Sequence, residues 1–97
     1  MNRVAEAQKH IEAALKADPN SGKAHDVLGG LFEKQGRIDA AVAEFREAVR
    51  VSPDLGSVHF DLGRGLVKQH KLAEAAEEFR KAAKDPYPVI RQQARTR

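Results

Sequence analysis

Apolar residues in this chain recur three and four positions apart rather than at every second position. Leu28, Leu31 and Phe32 form one such stripe, and Ile38, Ala41, Val42, Phe45, Ala48 and Val49 form the next. A period near 3.6 gathers side chains on one face of an α-helix, so the pattern predicts an all-α chain with helices over about 3–17, 22–35, 39–51, 56–69 and 73–84. The breaks agree with this. Gly36 with Arg37, and His70 with Lys71, form short turns inside successive helix pairs, while Pro19 and Pro53 stop the preceding helices. Asn20 and Asp54 stand where the next helix wants an N-cap. Glu12 with Lys16, Glu33 with Arg37 and Glu77 with Lys81 have the i, i+4 spacing that adds a few tenths of a kcal/mol each on an exposed helix face.

The stripes themselves repeat. Pro19 and Pro53, Gly29 and Gly63, and Phe45 and Phe79 are each 34 residues apart. Aligning 22–55 with 56–89 gives 11 identities in 34 positions, among them His25/His59, Leu28/Leu62, Gln35/Gln69, Ala41/Ala75, Glu44/Glu78 and Ala48/Ala82. Ala7, Ile11, Ala14 and Pro19 fit the second half of the same template, so the chain reads as about two and a half repeats. A unit this short cannot bury its apolar face alone, and stacking on its neighbours builds one continuous core. Gly29 and Gly63 are expected to let the first helix of each pair approach the second, with Ala41 and Ala75 receiving it.

These positions resemble the tetratricopeptide repeat, whose pattern runs aromatic, Leu-Gly, aromatic, Ala, aromatic, Ala and Pro. One repeat supplies His25, Leu28, Gly29, Phe32, Ala41, Phe45, Ala48 and Pro53; the next supplies His59, Leu62, Gly63, Leu66, Ala75, Phe79 and Ala82, with Pro86 and Pro88 flanking the expected proline. His replaces the first aromatic in both. The resemblance implies antiparallel helix pairs stacked as a right-handed solenoid in a single domain over 1–97. In that reading 1–18 is the second helix of a truncated repeat, 22–55 and 56–88 are full repeats, and 89–97 is a basic tail or the start of a further helix.

Composition narrows the function by exclusion. With no Cys there is no thiol chemistry, disulfide or thiolate metal site. No HExxH or Cys/His cluster is present, and His25 and His59, in equivalent places of adjacent repeats, are expected to stand about 10 Å apart, too far to share a metal ion. They are expected to pack against the partner helix. Ser21, Ser52 and Ser57 sit at helix boundaries, where capping explains them better than nucleophilic catalysis. Gly29-Gly30 and Gly63-x-Gly65 lie inside helices without a preceding strand, so neither is a phosphate loop. Gly30 and Gly65 are each expected to weaken their helix by about 1 kcal/mol relative to Ala. No catalysis and no cofactor are expected. No apolar run reaches the roughly 20 residues of a membrane span.

The net charge is +3, but it is not spread evenly. From Arg80 onward the balance is +5, and the rest of the chain carries −2. The basicity therefore belongs to the C-terminal end, and the repeat surface itself does not favour nucleic acid. An RNA-contacting surface would have to use that tail. The Ala-rich, Cys-free composition leans towards a bacterial source and leaves the compartment open.

The resemblance implies a protein–protein interaction scaffold that takes a peptide or helix in the concave groove formed by the first helix of each repeat. Helical phase puts Lys23, Asp26, Gly30, Glu33 and Lys34 there from one repeat, and Ser57, Phe60, Arg64, Val67 and Lys68 from the next. Phe60, Arg64 and Val67 form a stripe suited to a segment offering an apolar side chain and a carboxylate. Alternatively, Phe60 fills the space beside Gly30. The Lys/Asn/Arg ring of family members that clamp chaperone C-termini is replaced by Asp26, Val27, Gly30, Ser57 and Asp61, which argues against that ligand, and the Asn ladder of some glycosyltransferase repeats is also missing. A regulatory or docking segment of a larger enzyme is the alternative from another class. The apolar stripe of the first helix, Val4, Ala7, Ile11 and Ala14, predicts self-association or helix exchange through the end helices.

Overall fold

In a computed structural model, which describes residues 3–84, five α-helices follow one another: α1 (Arg3–Ala17), α2 (Gly22–Lys34), α3 (Ile38–Val51), α4 (Gly56–Lys68) and α5 (Leu72–Ala83). Consecutive helices pack on one another, most closely α2 on α3 and α4 on α5, and α4 also lies against α3. Each expected helix is present to within about one residue at either end.

The core follows the stripes. Leu28 and Phe32 from α2, Ala41, Val42 and Phe45 from α3, Leu62 and Leu66 from α4, and Ala75 from α5 form one cluster. Ile11 and Leu15 of α1 close it at one end, and Phe79 packs on it at the other. Phe45, Leu66 and Val58 are the largest fully buried side chains. Burying one such side chain contributes about 1.5–3 kcal/mol. Small residues set the helix spacing: a Cβ on Gly29 would stand 2.6 Å from the Phe45 ring, and one on Gly63 would stand 2.7 Å from the Phe79 ring. Gly65 and Gly30 behave differently from each other. A Cβ on Gly65 would stand 2.9 Å from Val42, so this glycine allows α4 to approach α3, whereas nothing lies within 4 Å of the same point on Gly30. The helix-weakening expected of both is thus offset by packing at Gly65 alone.

The turns inside the pairs share one geometry. Gly36 and His70, 34 apart, both have positive φ, +77° and +63°. The following N–H groups, Arg37 and Lys71, reach back to the Phe32 and Leu66 carbonyls at 2.9 Å. This left-handed helix stop favours glycine, and His70 adopts it at a cost. Capping departs from expectation by one position. Ser21, not Asn20, is the N-cap of α2, with its hydroxyl accepting the Ala24 N–H at 3.1 Å; Leu55, not Asp54, is the N-cap of α4 and makes no side-chain cap bond.

Candidate groove on the paired first helices

The first helices of the two pairs, α2 and α4, border a depression of about 490 Å³ lined by Val27, Gly30, Leu31, Glu33, Lys34, Arg64 and Lys68. Its floor is shaped by the bare backbone at Gly30, and Val27 is 40% exposed at its edge. Glu33 forms the centre of its charge network. The Arg64 guanidinium donates to both Glu33 oxygens, from Nη2 at 2.8 Å and Nε at 3.2 Å, and from Nη1 to Asp61 Oδ1 at 2.7 Å. Lys68 Nζ adds a fourth bond, to Glu33 Oε2 at 2.8 Å. Such a fork holds two helices in one register, because a planar guanidinium meets both carboxylate oxygens at once. The Arg64 bonds, and Lys68 after them, outweigh burial and pull the Glu33 carboxyl down to about 2.

Asp26 lies at the edge of the same network. Burial first, then the neighbouring Asp61, pushes its carboxyl up to about 7, against a smaller opposing pull from Arg64. Its Oδ1 is enclosed without a hydrogen-bond partner. Burial disfavours the charged carboxylate, and an adjacent carboxylate disfavours it further.

Of the ten residues placed on the groove by helical phase, Gly30, Glu33, Lys34, Arg64 and Lys68 line this depression together. Lys23 and Ser57 are exposed near the helix starts, Asp26 is half-buried, and Val67 is 41% exposed. The expected stripe of Phe60, Arg64 and Val67 divides. Phe60 leans on Phe79, with ring centroids 5.5 Å apart, while Arg64 points to Glu33 and Asp61. Phe60 therefore does not fill the space beside Gly30. The helix pairing of Glu33 with Arg37 is replaced as well: Glu33 turns to α4, and the Arg37 guanidinium sits 4.5 Å from the centre of the Phe32 ring. Similarly Glu77 takes Arg80, Lys81 takes Glu78, and Glu12 accepts from Gln8 at 3.0 Å. Val27 and Leu31 were not expected in the groove. Leu31 belongs to the apolar stripe of α2, and only its position at the stripe's edge, four residues after Val27, hints at a second use.

A second depression, of about 400 Å³, lies by the α3–α4 loop between Val49, Pro53, Asp54, His59, Lys81 and Lys84. Among the described residues no group of three or more His, Cys, Asp or Glu could hold a metal ion, and no helix is long and apolar enough to cross a membrane. The RNA reading rests on basic residues that fall largely outside the described residues, as does the expected start of a further helix over 89–97.

Comparison with known proteins agrees with this geometry. Solved structures of MamA share the fold: the MamA RS-1 double mutant superposes with a TM-score of 0.80 at 21% identity, covering 99% of this chain and 51% of that one. MamA AMB-1 gives 0.77 at 24% identity over 86% of this chain and 45% of its own, and MamA MSR-1 gives 0.75 at 22% over 96% and 51%. The chain thus spans about half the length of the structures it matches. No curated protein matches it in sequence. The tetratricopeptide repeat model matches residues 1–56, and the antiparallel pairs α2–α3 and α4–α5 stack as that repeat does. The chain belongs to the tetratricopeptide repeat family, and its helix pairs form a right-handed solenoid.

Proposed function

We propose that this chain is a docking scaffold that takes a peptide or a partner helix along the groove between α2 and α4 and performs no catalysis of its own. Repeats of this family typically serve as protein–protein interaction scaffolds. The observation that carries the finer reading is the open space over Gly30, bordered by exposed Val27 and by the Arg64–Glu33–Lys68 network. An apolar side chain of a partner fits over Gly30, and polar groups at the rim fix its direction. Because Arg64 is already held by two carboxylates, a partner carboxylate must compete with Glu33 and Asp61, which makes Arg64 a selective rather than a general anion receptor.

Gly30→Trp projects bulk into the groove from a position where an added Cβ meets nothing within 4 Å. Proteins retained from native lysate by the wild type, identified by mass spectrometry, should be lost from a Gly30→Trp column that keeps its helical circular dichroism. Arg64→Glu should weaken the same capture with little salt dependence, unlike binding to an oligonucleotide. Retention of the same partners by both variants would rule the groove out.

A second reading concerns assembly. Phe60 is 49% and Leu72 62% exposed, and α1 buries none of its residues fully. These surfaces support association of the end helices, by stacking or exchange between copies, and a strict monomer in light scattering at high concentration would remove it.

A further inference from the structure

Outside the groove, both repeats carry the same hydrogen-bonded arrangement. His25 Nδ1 lies 2.7 Å from Glu44 Oε1, and its Nε2 lies 2.8 Å from the Pro19 carbonyl oxygen. His59 Nδ1 lies 2.7 Å from Glu78 Oε1, and its Nε2 lies 2.7 Å from the Pro53 carbonyl. All three members recur at 34 residues. Carboxylate and carbonyl oxygens only accept hydrogen bonds, so each ring nitrogen has to donate. A neutral imidazole has one N–H and would point a lone pair at one of the two oxygens. Only the imidazolium satisfies both.

The location gives these rings a mechanical role. Pro19 stands in the α1–α2 loop and Pro53 in the α3–α4 loop, which are the connections between successive pairs, whereas Glu44 and Glu78 belong to the second helix of each pair. Each ring therefore ties the chain entering a repeat to the helix that leaves it. The rings are largely buried, with side-chain exposure of 13% for His25 and 7% for His59, although the bond from His25 to the Pro19 carbonyl lies at the surface. At His59 water has little access to replace a lost bond.

We propose that His25 and His59 act as imidazolium clasps that hold each repeat's entry loop to its second helix, so that loss of the ring proton loosens the junctions between repeats.

The surrounding charges differ between the two sites. Around His25, α3 presents Glu44 and also Glu47, the latter paired with Arg50 at 2.9 Å, and the loop carries Asp18, which accepts the Asn20 N–H. Around His59, α5 presents Glu78, whose second oxygen takes Lys81 Nζ at 3.3 Å, and Asp54 and Lys84 line the same depression. For His25, burial disfavours the charged ring, yet Glu44, the Pro19 carbonyl and Glu47 together overcome it and raise the ring above its ordinary 6.5. A raised histidine contributes stability that is complete below the unfolded value and is lost as pH rises through the folded one. The His25 clasp should thus hold at mildly acidic pH and fail on the alkaline side.

Imidazole nitrogen shifts measured by long-range proton–nitrogen correlation on the whole chain report the protonation directly. At pH 7, His25 should show two protonated nitrogens, and the same pattern at His59 is what its two facing oxygens require. Neutral rings at His25 and His59 at that pH would overturn the proposal, whatever the variants do. Thermal melting supplies the second arm, in an Asp26→Asn background that removes the raised carboxyl beside the groove. The melting temperature should fall between pH 6 and pH 9. His25→Phe/His59→Phe, which places aromatic side chains at both sites, should show no such fall. An equal fall with and without the histidines would also overturn it.

Discussion

Phe45 and Phe79 occupy the same place in successive repeats, yet Phe45 is 1% exposed and Phe79 is only partly buried. Both rings lie against a glycine of their own pair, Gly29 or Gly63. The difference comes from the far side. Over Phe45, α4 brings in the bare backbone of Gly65 and the Arg64 guanidinium, 6.0 Å from the ring centre. Over Phe79, among the described residues, stands Phe60, itself half exposed. One residue in one motif thus has two energetic roles, because the neighbouring repeat completes its burial. The positions facing the groove differ more sharply. Asp26, Val27, Gly30 and Glu33 of one repeat correspond to Phe60, Asp61, Arg64 and Val67 of the next, with none retained.

The sharpest way to break this comparison is to put the same bulk on both glycines. Gly29→Leu should destabilise by about 1–3 kcal/mol or more in urea denaturation, since the Phe45 ring and the Ala41 carbonyl leave it no room. Gly63→Leu should cost clearly less, because Phe79 can turn towards solvent. Equal losses would mean that the two aromatic contacts are equivalent after all. The groove network comes next. Glu33→Gln should cost on the order of 1 kcal/mol at pH 7, whereas Val67→Ala, at the equivalent place, should stay within about 0.5 kcal/mol. Glu33 is a lowered carboxylate, so its contribution is complete above its ordinary 4.5 and is lost as pH falls towards about 2. The gap between wild type and Glu33→Gln should therefore close in acid.

The paired turns give a comparison of opposite sign. His70→Gly should stabilise by about 1 kcal/mol and Gly36→Ala should destabilise by a similar amount, both read from chemical denaturation midpoints. Asp26→Asn should have an effect that depends on pH. A carboxyl raised to about 7 from 3.8 weakens the fold progressively as pH climbs between those values, so the variant should melt higher than wild type at pH 8 and little differently at pH 4.

Helices and core were legible in the sequence because they depend on a period that the chain states twice. Apolar spacing located all five helices, and Gly29 and Gly63 were read as points of close approach, although the Phe45 and Phe79 rings, rather than Ala41 and Ala75 alone, stand nearest to them. The groove was legible only in half. Helical phase tells which face a residue occupies, so it placed Glu33, Arg64 and Lys68 on the face that carries the depression, but it does not say which neighbour a long side chain will choose. Glu33 had Arg37 one turn away and took Arg64 from another helix, because a forked donor meeting both oxygens outcompetes a single exposed pairing. The histidines show the same limit. Their recurrence was visible, as was that of Glu44 with Glu78 and Pro19 with Pro53, yet three recurrences do not reveal that their atoms meet until the helices are packed.

At Gly30 an added Cβ would meet nothing within 4 Å, and the position lies in the proposed ligand groove. Most positions of a packed solenoid are constrained because changing what they recognise also changes how they fold. At this one the two demands are separated. A lineage, or a designer, could place a different side chain at residue 30 and alter the choice of partner without first having to secure a stability reserve. The bare backbone there is thus a point at which binding specificity is free to diverge while the scaffold stays the same.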